Sequence, residues 1–364
     1  WHGCPPPCPM THPAEIFLAT APGLEPVLAA EASEHGFADV TPVAGGVTVS
    51  GGGDTVWRAN LMLRGANRVL ARLWSFRAMH LAQLDKRARK LPWAEVFRKD
   101  QPIRVEAVCK ASRIYHAGAA AKRVEAALKQ SLDVPISQTA DLRVLVRILD
   151  DLCTISVDTS GALLHKRGSK VAVGKAPMRE TLAALFLRQA GFHGREPVVD
   201  PMCGSGTFVL EAAEIASGLA PGRARRFAFE SLAGFDPARW RSLRESAAPS
   251  ETTHRFFGSD RNTAVIEMAQ ANAERAGGSD ITDFQPAAIS ALKPPDGPPG
   301  LVMVNPPYGG RIGDRQTLFS LYGALGKTLK ERFSGWRVGL VTTDKGLAKA
   351  TTLPLTPSTP PTPH

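Results

Sequence analysis

The chain lacks the features of membrane and secreted proteins. Among its 364 residues, every apolar stretch is interrupted by charge, glycine or proline well before the ~18 residues that a membrane span requires. No basic segment followed by an apolar one opens the sequence, so no secretory signal is predicted. The five cysteines are an odd number without a disulfide pattern, which is typical of a reducing compartment. We therefore expect a soluble, cytoplasmic protein.

The chain also lacks a recognisable metal site. Its histidines and carboxylates form no cluster with metal-ligand spacing. Cys4 and Cys8 near the start are separated by three prolines, a spacing that fits no usual zinc motif. Residues 1–12 are therefore expected to be disordered.

The net charge of +10 comes from one part of the chain. Residues 58–150 contain 19 Lys and Arg against 8 Asp and Glu, so this segment supplies the whole excess of positive charge. A basic module followed by a near-neutral one is typical of a protein that grips a polyanion with one part and carries out chemistry with the other. A solvated basic surface that maintains solubility is the alternative interpretation.

Hydrophobic patterns predict two small α+β units in the first 160 residues. The first, residues 13–56, combines a strand at 16–19, a helix at 24–35 and a strand at 47–49. The second, residues 57–160, is predicted to begin with an amphipathic helix over 57–76. Apolar residues recur there at helical spacing, and the arginines between them predict an arginine-rich face with a break near Gly65. The patterns that follow predict a strand at 103–109, a helix at 117–132 and strands at 142–149 and 153–157.

The rest of the chain has the alternation of a doubly wound α/β sheet. A helix is predicted to begin at Pro177 and to end before Gly191. Strand-like runs then alternate with helical patterns, which predicts a parallel sheet in residues 161–350. The runs lie at residues 197–200, 255–260, 281–285, 301–304 and 336–342. Residues 351–364, nearly all Thr, Pro, Leu and Ser, are expected to form a tail.

A glycine-containing loop, residues 200–207 (DPMCGSGT), follows the first of these strands. Gly204 and Gly206 allow a tight turn and a close approach of backbone to ligand, and the helix that begins near Thr207 directs free amide groups at the loop. No Gly-Lys-Ser/Thr follows, and Val209 stands where a dinucleotide fingerprint has its third glycine. The loop is therefore predicted to hold another nucleotide-like cofactor, with a plain structural turn as the alternative.

Asp260 ends the next strand along the chain. A carboxylate at this position accepts hydrogen bonds from both ribose hydroxyls of an adenosine. Because it lies much further on than a simple dinucleotide unit allows, an insertion at residues 217–250 is predicted. An N-cap for the helix that starts near Asn262 is a compatible alternative role.

Residues 305–308 (NPPY) follow a further apolar strand and are the most specific signal in the sequence. The Asn305 side-chain oxygen and the Pro306 carbonyl are acceptors that can orient the exocyclic amine of a guanine or adenine. Rigid prolines hold these acceptors, and Tyr308 offers a face for the base. A Pro-Pro turn with a surface tyrosine is the alternative. The loop has no cysteine for methyl transfer to a base carbon, and Cys203 is expected to be a small packing residue.

Taken together, these stretches resemble the class I S-adenosylmethionine-dependent RNA methyltransferases with an N-terminal THUMP domain. The resemblance is closest to the bacterial enzymes that methylate the N2 amine of a guanine in large-subunit (23S) ribosomal RNA. It covers nearly the whole chain, and further stretches carry it: 19–25 (ATAPGLE), 156–161 (SVDTSG), 164–168 (LHKRG) and 176–180 (APMRE).

The resemblance implies a Rossmann-like methyltransferase sheet preceded by a ferredoxin-like part (13–56) and a THUMP domain (57–160) that captures RNA. It implies that S-adenosylmethionine is the cofactor and that residues 305–308 receive the target base. The implied catalytic residues are Asn305, Pro306, Pro307 and Tyr308. The implied cofactor-binding residues are Asp200, Met202, Cys203, Gly204, Gly206, Thr207, Asp260 and Arg261.

Two departures from the family and three rival functions remain open. Residues 288–290 (AIS) offer only a hydroxyl where many relatives have an acidic contact to the adenine amine. After residues 336–341 no sixth or seventh strand is evident, so a fragment or a diverged end is expected. The rivals are an adenine-N6 methyltransferase acting on RNA or DNA, a non-catalytic RNA-binding module, and a nicotinamide-dependent dehydrogenase, which the missing third glycine disfavours.

Overall fold

The computed structural model describes residues 14–168, 178–247, 249–308 and 315–358. They form two compact units: the first contains residues 14–164 and the insertion Arg225–Ser246, and the second contains His165–Ala224 and residues 247–358. The expectation of disorder at residues 1–12 lies outside the described residues. No helix of the described ranges is long and apolar enough to cross a membrane.

A seven-stranded sheet, in the order β2-β3-β1-β4-β7-β6-β5, organises the first unit. The first six elements of the chain have the β-α-β-β-α-β order of a ferredoxin-like fold. They are β1 (Ala14–Ala19), α1 (Glu25–Glu34), β2 (Ala38–Val43), β3 (Gly46–Gly51), α2 (Gly53–Met62) and β4 (Arg68–Arg77). The sheet continues through the pairing of β4 with β7. The following elements are α3 (Leu81–Ala88), β5 (Ile103–Lys110), α4 (Ala117–Leu132), β6 (Leu142–Leu149) and β7 (Leu152–Asp158).

The helix predicted over residues 57–76 is wrong in its second half. Helix α2 ends at Met62, and β4 follows from Arg68. Val69, Ala71 and Leu73 alternate with more exposed residues along β4, which is the period of a half-buried strand. Pairing with β1 and β7 on either side therefore outweighs the helical spacing that the same residues also satisfy.

A five-stranded parallel sheet, in the order β10-β9-β8-β11-β12, organises the second unit. Every strand predicted here is present. Helix α5 begins at Glu180, and its predicted start at Pro177 lies outside the described residues. The elements are α5 (Glu180–Gln189), β8 (Val198–Asp200), α6 (Thr207–Ala216), α7 (Pro237–Ser246, in the insertion), β9 (Phe256–Asp260), α8 (Thr263–Ala276), β10 (Thr282–Pro286), β11 (Leu301–Val304), α9 (Arg315–Arg332), β12 (Arg337–Leu340) and α10 (Lys345–Ala350).

The insertion Arg225–Ser246 packs within the first unit. Trp57 of α2 stacks on Phe229 with ring centroids 5.8 Å apart and meets Phe235 and Trp240 edge to face. Phe227 stacks on Phe229 at 5.2 Å, and these aromatic rings are mostly buried. Apolar burial therefore binds the insertion to the ferredoxin-like part.

No strand follows β12 in the residues that the structure describes. Helix α10 follows instead, a short element that the sequence patterns did not reveal. Thr351, at the start of the predicted tail, is fully buried, and its backbone lies against Gly326 of α9. The chain immediately after α10 is therefore packed.

Candidate functional site

The three predicted site segments lie at one edge of the parallel sheet. Strand β8 pairs with β9 on one side and with β11 on the other, in register at Val198–Phe256 and Val198–Leu301. Because parallel strands end at the same edge, the loop after Asp200, the end of β9 at Asp260 and the loop after Val304 emerge side by side. This is the edge at which open α/β sheets bind ligands.

The glycine loop uses both of its glycines in the left-handed region. Gly204 has φ +51° and Gly206 has φ +86°. A Cβ at Gly206 would come within 2.9 Å of the Phe284 ring, whereas a Cβ at Gly204 would point into open space. Gly206 is thus required by packing, and Gly204 leaves backbone open to a ligand. Thr207 is buried and begins α6.

Hydrogen bonds from neighbouring elements hold this loop. The Cys203 amide donates to the Ser259 carbonyl at 2.9 Å, and the Asn272 side chain donates to the Ser205 carbonyl at 3.1 Å. Cys203 is buried, as predicted for a packing residue, and burial raises the pKa of its thiol. Sequence reasoning missed Asn272. The signal that could have found it is a polar residue among the apolar positions that α8 buries.

Asp200 is almost completely buried at the end of β8. One of its carboxylate oxygens accepts a hydrogen bond from the Met202 amide at 3.0 Å. Burial raises the pKa of Asp200 to about 8, and the nearby Asp260 charge acts in the same direction. Asp200 therefore holds a proton over most of the neutral range in this structure.

Asp260 bridges the end of β9 to the glycine loop. One carboxylate oxygen accepts from the Gly204 amide at 3.3 Å and the other from the Asn262 amide at 2.9 Å. The N-cap of α8 is Asn262, whose side chain accepts from the Ala264 amide. The alternative role of Asp260 as N-cap is therefore wrong. Arg261 is exposed.

Asn305 has an unsatisfied acceptor. Its side-chain oxygen is buried and has no hydrogen-bond partner in the described part of the protein. Such an atom costs about 1–3 kcal/mol, and each one in a folded protein requires an explanation. Pro306, the next residue, is buried. Among the described residues, the loop therefore presents a buried acceptor that no donor satisfies.

Helix α9 anchors the far end of the Asn305 loop. Tyr322 is fully buried on α9, and its hydroxyl donates to the Pro307 carbonyl at 3.3 Å. Burial raises the pKa of this tyrosine, so its hydroxyl keeps the proton that it donates. Tyr308 packs against the apolar cluster of Leu318, Tyr322 and Leu347. The support of this loop by α9 was not predicted from the sequence.

The stretch 164–168 contacts α6 and the chain that follows it. The Arg167 guanidinium binds the Glu211 carboxylate of α6 at 3.0 Å, and both side chains are buried. Gly168 has φ +91°, and a Cβ there would lie 2.7 Å from the Ala224 carbonyl oxygen. The Arg-Gly pair of this stretch thus has a structural basis in α6 and the chain after it.

The glycine loop, Asp260 and the Asn305 loop all lie in the part of the chain that identifies its family. A family model described as RMKL-like, methyltransferase domain, matches residues 167–355, which include the glycine loop, Asp260 and the Asn305 loop. The chain belongs to this family. An RlmL ferredoxin-like domain model matches residues 15–70, and a THUMP domain model matches residues 78–158. The predicted family of class I methyltransferases with an N-terminal THUMP domain, and the fold that the resemblance implied, are therefore confirmed.

Individual relatives of this RMKL-like chain cover nearly all of it. The ribosomal RNA large subunit methyltransferase K/L of Psychromonas ingrahamii is 34% identical over a match of 346 positions that covers 91% of this chain and 46% of that protein. The chain thus spans about half the length of the curated relative.

Solved structures extend the likeness to three dimensions. A predicted N6-adenine-specific DNA methylase from Listeria monocytogenes is 29% identical with a TM-score of 0.85, over 94% of this chain and 92% of that one. The structure of SMU.472 complexed with SAH is 26% identical with a TM-score of 0.83 over the same shares. The ferredoxin-like, THUMP and parallel-sheet architecture is therefore shared with known structures.

Proposed function

We propose that this chain transfers a methyl group from S-adenosylmethionine to an exocyclic base amine, the N2 amine of a guanine in ribosomal RNA. The observation that carries the proposal is the buried Asn305 side-chain oxygen, which has no hydrogen-bond donor among the residues that the structure describes. Its position at the carboxyl edge of β11, beside the glycine loop of β8, brings it to the edge where a cofactor would bind. A base amine supplies the missing N–H donor.

The residues of the glycine loop suit S-adenosylmethionine. The open space at Gly204 lets the cofactor approach the backbone. Each Asp260 oxygen already accepts one amide but has a second lone pair, so the carboxylate retains acceptors for ribose hydroxyls. We assign Asp200, Met202, Cys203, Gly204, Gly206, Thr207, Asp260 and Arg261 to the wall of this site. When bound, the cofactor supplies a methyl group already activated on a sulfonium centre.

The Asn305 loop would then orient the nucleophile. The lone pair of an exocyclic amine is delocalised into the ring, which makes the amine a poor nucleophile. Hydrogen bonds from its N–H groups to the Asn305 oxygen and the Pro306 carbonyl fix the amine with its lone pair directed at the methyl group. Pro307 keeps the acceptors rigid, and Tyr308 supports the base. A paired base would first have to leave its helix, at a cost of a few kcal/mol.

The relatives support this substrate class. The curated relative is named a ribosomal RNA large subunit methyltransferase, and the THUMP model adds an RNA-binding type of domain. The likeness to the predicted adenine-specific methylase keeps adenine N6 as the second candidate, because the same two acceptors fit either amine.

The test is methyl transfer from labelled S-adenosylmethionine to unmodified large-subunit ribosomal RNA. After digestion to nucleosides, we expect the label in N2-methylguanosine. Label in N6-methyladenosine would select the second candidate. Calorimetry with S-adenosylmethionine alone tests the non-catalytic alternative, because a pure RNA-binding module should give no heat with the cofactor.

A further inference from the structure

One face of the sheet in the first unit is open to solvent where strands β4, β7, β6 and β5 lie near the turn between β6 and β7. Along β6, Val144, Val146 and Ile148 are buried, whereas the residues between them are more exposed. On the opposite side α4 packs through Ala120, Val124 and its other buried residues. The open face is therefore formed by every second side chain of the four strands, the ones that alternate with the buried residues.

The strand registers arrange this face in rows. One row crosses the four strands at Arg77, Leu152, Leu149 and Lys110. The next row crosses them at Ser75, Thr154, Arg147 and Val108. We call these eight positions the sheet-face patch. Neighbouring strands lie about 4.8 Å apart, so Arg77 and Lys110 stand roughly 14 Å from each other across the patch.

The cations of the patch differ from the other cations of the same face. Further along the strands, Asp158 binds both Arg68 and Arg143, and Glu106 binds Arg104 and Arg143. None of the eight patch positions carries a carboxylate. In the described residues, Arg147 and Lys110 make no ion pair, and Arg77 donates only to the Asp150 carbonyl, at 3.3 Å.

Exposed apolar side chains lie between these cations. Val108 is 62% exposed and Leu152 is 42% exposed. Tyr115, on the loop after β5, is 85% exposed. This loop is fixed beside the patch because the Arg113 amide donates to Asp151, in the turn between β6 and β7, at 2.8 Å. The patch therefore combines free positive charge with uncovered apolar area.

We propose that the sheet-face patch binds an unpaired stretch of the RNA substrate, with Arg77, Lys110 and Arg147 on its phosphates and with Val108 and Leu152 against its bases. Complementary charge selects a polyanion, and the apolar side chains select one whose bases are uncovered, which a duplex does not offer. The proposal rests on the proposed function in taking RNA as the substrate. It assigns the capture of that RNA to one face of one sheet.

Affinity for RNA as a function of salt tests this surface on the full chain. The probe is a 20-nucleotide mixed-sequence single-stranded RNA, and the variant combines Arg77→Ala, Lys110→Ala and Arg147→Ala. Each lost phosphate contact lowers the slope of log affinity against log salt by ~0.7 for a single strand, so the triple variant should lower it by about 2. At low salt its affinity should fall about ten-fold or more.

The matched control removes three exposed lysines from the helices of the first unit: Lys86→Ala in α3, with Lys122→Ala and Lys129→Ala in α4. We expect this control to keep the wild-type slope within about half a unit. Thermal unfolding should be the same for both triple variants, since all six side chains are exposed. A sheet-face variant with wild-type affinity, or a control with an equal loss, overturns the proposal, as does equally tight binding of the same sequence as a duplex.

These outcomes are independent of catalysis because the assay needs no methyl transfer. If the wild-type protein methylates RNA but the triple sheet-face variant binds RNA as tightly as the wild type, only the proposed binding surface is contradicted. A wild-type protein that binds RNA through the patch but methylates no RNA contradicts the proposed function alone.

Discussion

Burial in the folded sheet, together with the nearby Asp260 charge, changes the chemistry of the Asp200 side chain. Its folded-state pKa of about 8 lies far above the ordinary value of 3.8. Between these two values Asp200 holds a proton in the folded protein and has released it in the unfolded chain, so the contribution of Asp200 to stability falls as pH rises through this window. Nothing in the sequence DPMCGSGT indicates this, because the shift depends on how completely the folded sheet removes water.

We predict that Asp200→Asn reduces the pH dependence of stability. The wild-type unfolding midpoint should fall between about pH 5 and about pH 8, and the variant should lose a large part of that decline because an amide does not titrate. Thermal unfolding at several pH values measures the effect. The control is Asp296→Asn, an exposed carboxyl of the same unit. Identical pH profiles for Asp200→Asn and the wild type would contradict the prediction.

We predict that Gly204→Ala separates cofactor binding from folding. The left-handed backbone costs an alanine about 1 kcal/mol, but its Cβ meets no protein atom. That Cβ would occupy the open space assigned to the cofactor, so S-adenosylmethionine affinity should fall about ten-fold or more in calorimetry.

Gly277→Ala is the matched control for Gly204→Ala. Gly277 also has positive φ and open space around a Cβ, and it lies at the end of α8. It should show the same small loss of stability and unchanged cofactor affinity. Equal cofactor affinity in the two variants would contradict the assignment of Gly204.

Elements differ in how well their sequences determine them. Helix α4 was predicted with its exact bounds because apolar residues at helical spacing and tertiary packing favour the same structure. The segment 57–76 satisfies helical spacing as well, but β1 and β7 recruit its second half as a strand. The secondary structure of such a segment depends on strands that are distant in sequence, and a local pattern contains no information about them.

The candidate site also has parts that its sequence predicts and parts that depend on contacts between distant elements. The sequence predicted that the two loops and Asp260 follow strands of a parallel sheet, because the alternation of strands and helices and the loop chemistry can be read from it. It did not predict the support of the Asn305 loop by α9. That support depends on the buried Tyr322 hydroxyl and its 3.3 Å contact with the Pro307 carbonyl.

We predict that Tyr322→Phe slows methyl transfer while leaving cofactor binding unchanged. The ring remains in its apolar cluster, but the Pro307 carbonyl loses its donor, at a cost of about 1 kcal/mol. A loosened loop orients the amine less well, so kcat should fall several-fold. Single-turnover kinetics and cofactor calorimetry measure the two effects. A wild-type kcat for Tyr322→Phe would show that α9 does not position the loop.

In the whole molecule, the chain passes between the two units more than once. It leaves the first unit after Leu164, returns for Arg225–Ser246 and leaves again. The sequence predicted an insertion in this region from the distance to Asp260. Its place in the first unit followed only from the aromatic cluster around Trp57, because contacts between distant parts of the chain are not visible in local patterns.

We predict that Trp57→Ala destabilises the first unit by about 3–5 kcal/mol, because it leaves a large cavity among Phe229, Phe235 and Trp240. Denaturant unfolding followed by tryptophan fluorescence measures the loss. Phe319→Ala, which removes a 37% exposed ring of α9, is the control and should cost much less. Equal losses in the two variants would mean that the insertion does not depend on this cluster.

We predict that the buried Asn305 oxygen accepts a hydrogen bond from the base amine that is methylated. The most direct measurement compares single-turnover methyl transfer to ribosomal RNA by the wild type, Asn305→Ala and Asn305→Asp, with cofactor and RNA affinities measured in parallel. Asn305→Ala should slow transfer about 100-fold at unchanged affinities, as expected for the loss of one preorganised hydrogen bond, and Asn305→Asp, which keeps an acceptor, should retain more of the rate. A wild-type rate for Asn305→Ala would show that the Asn305 oxygen does not orient the amine.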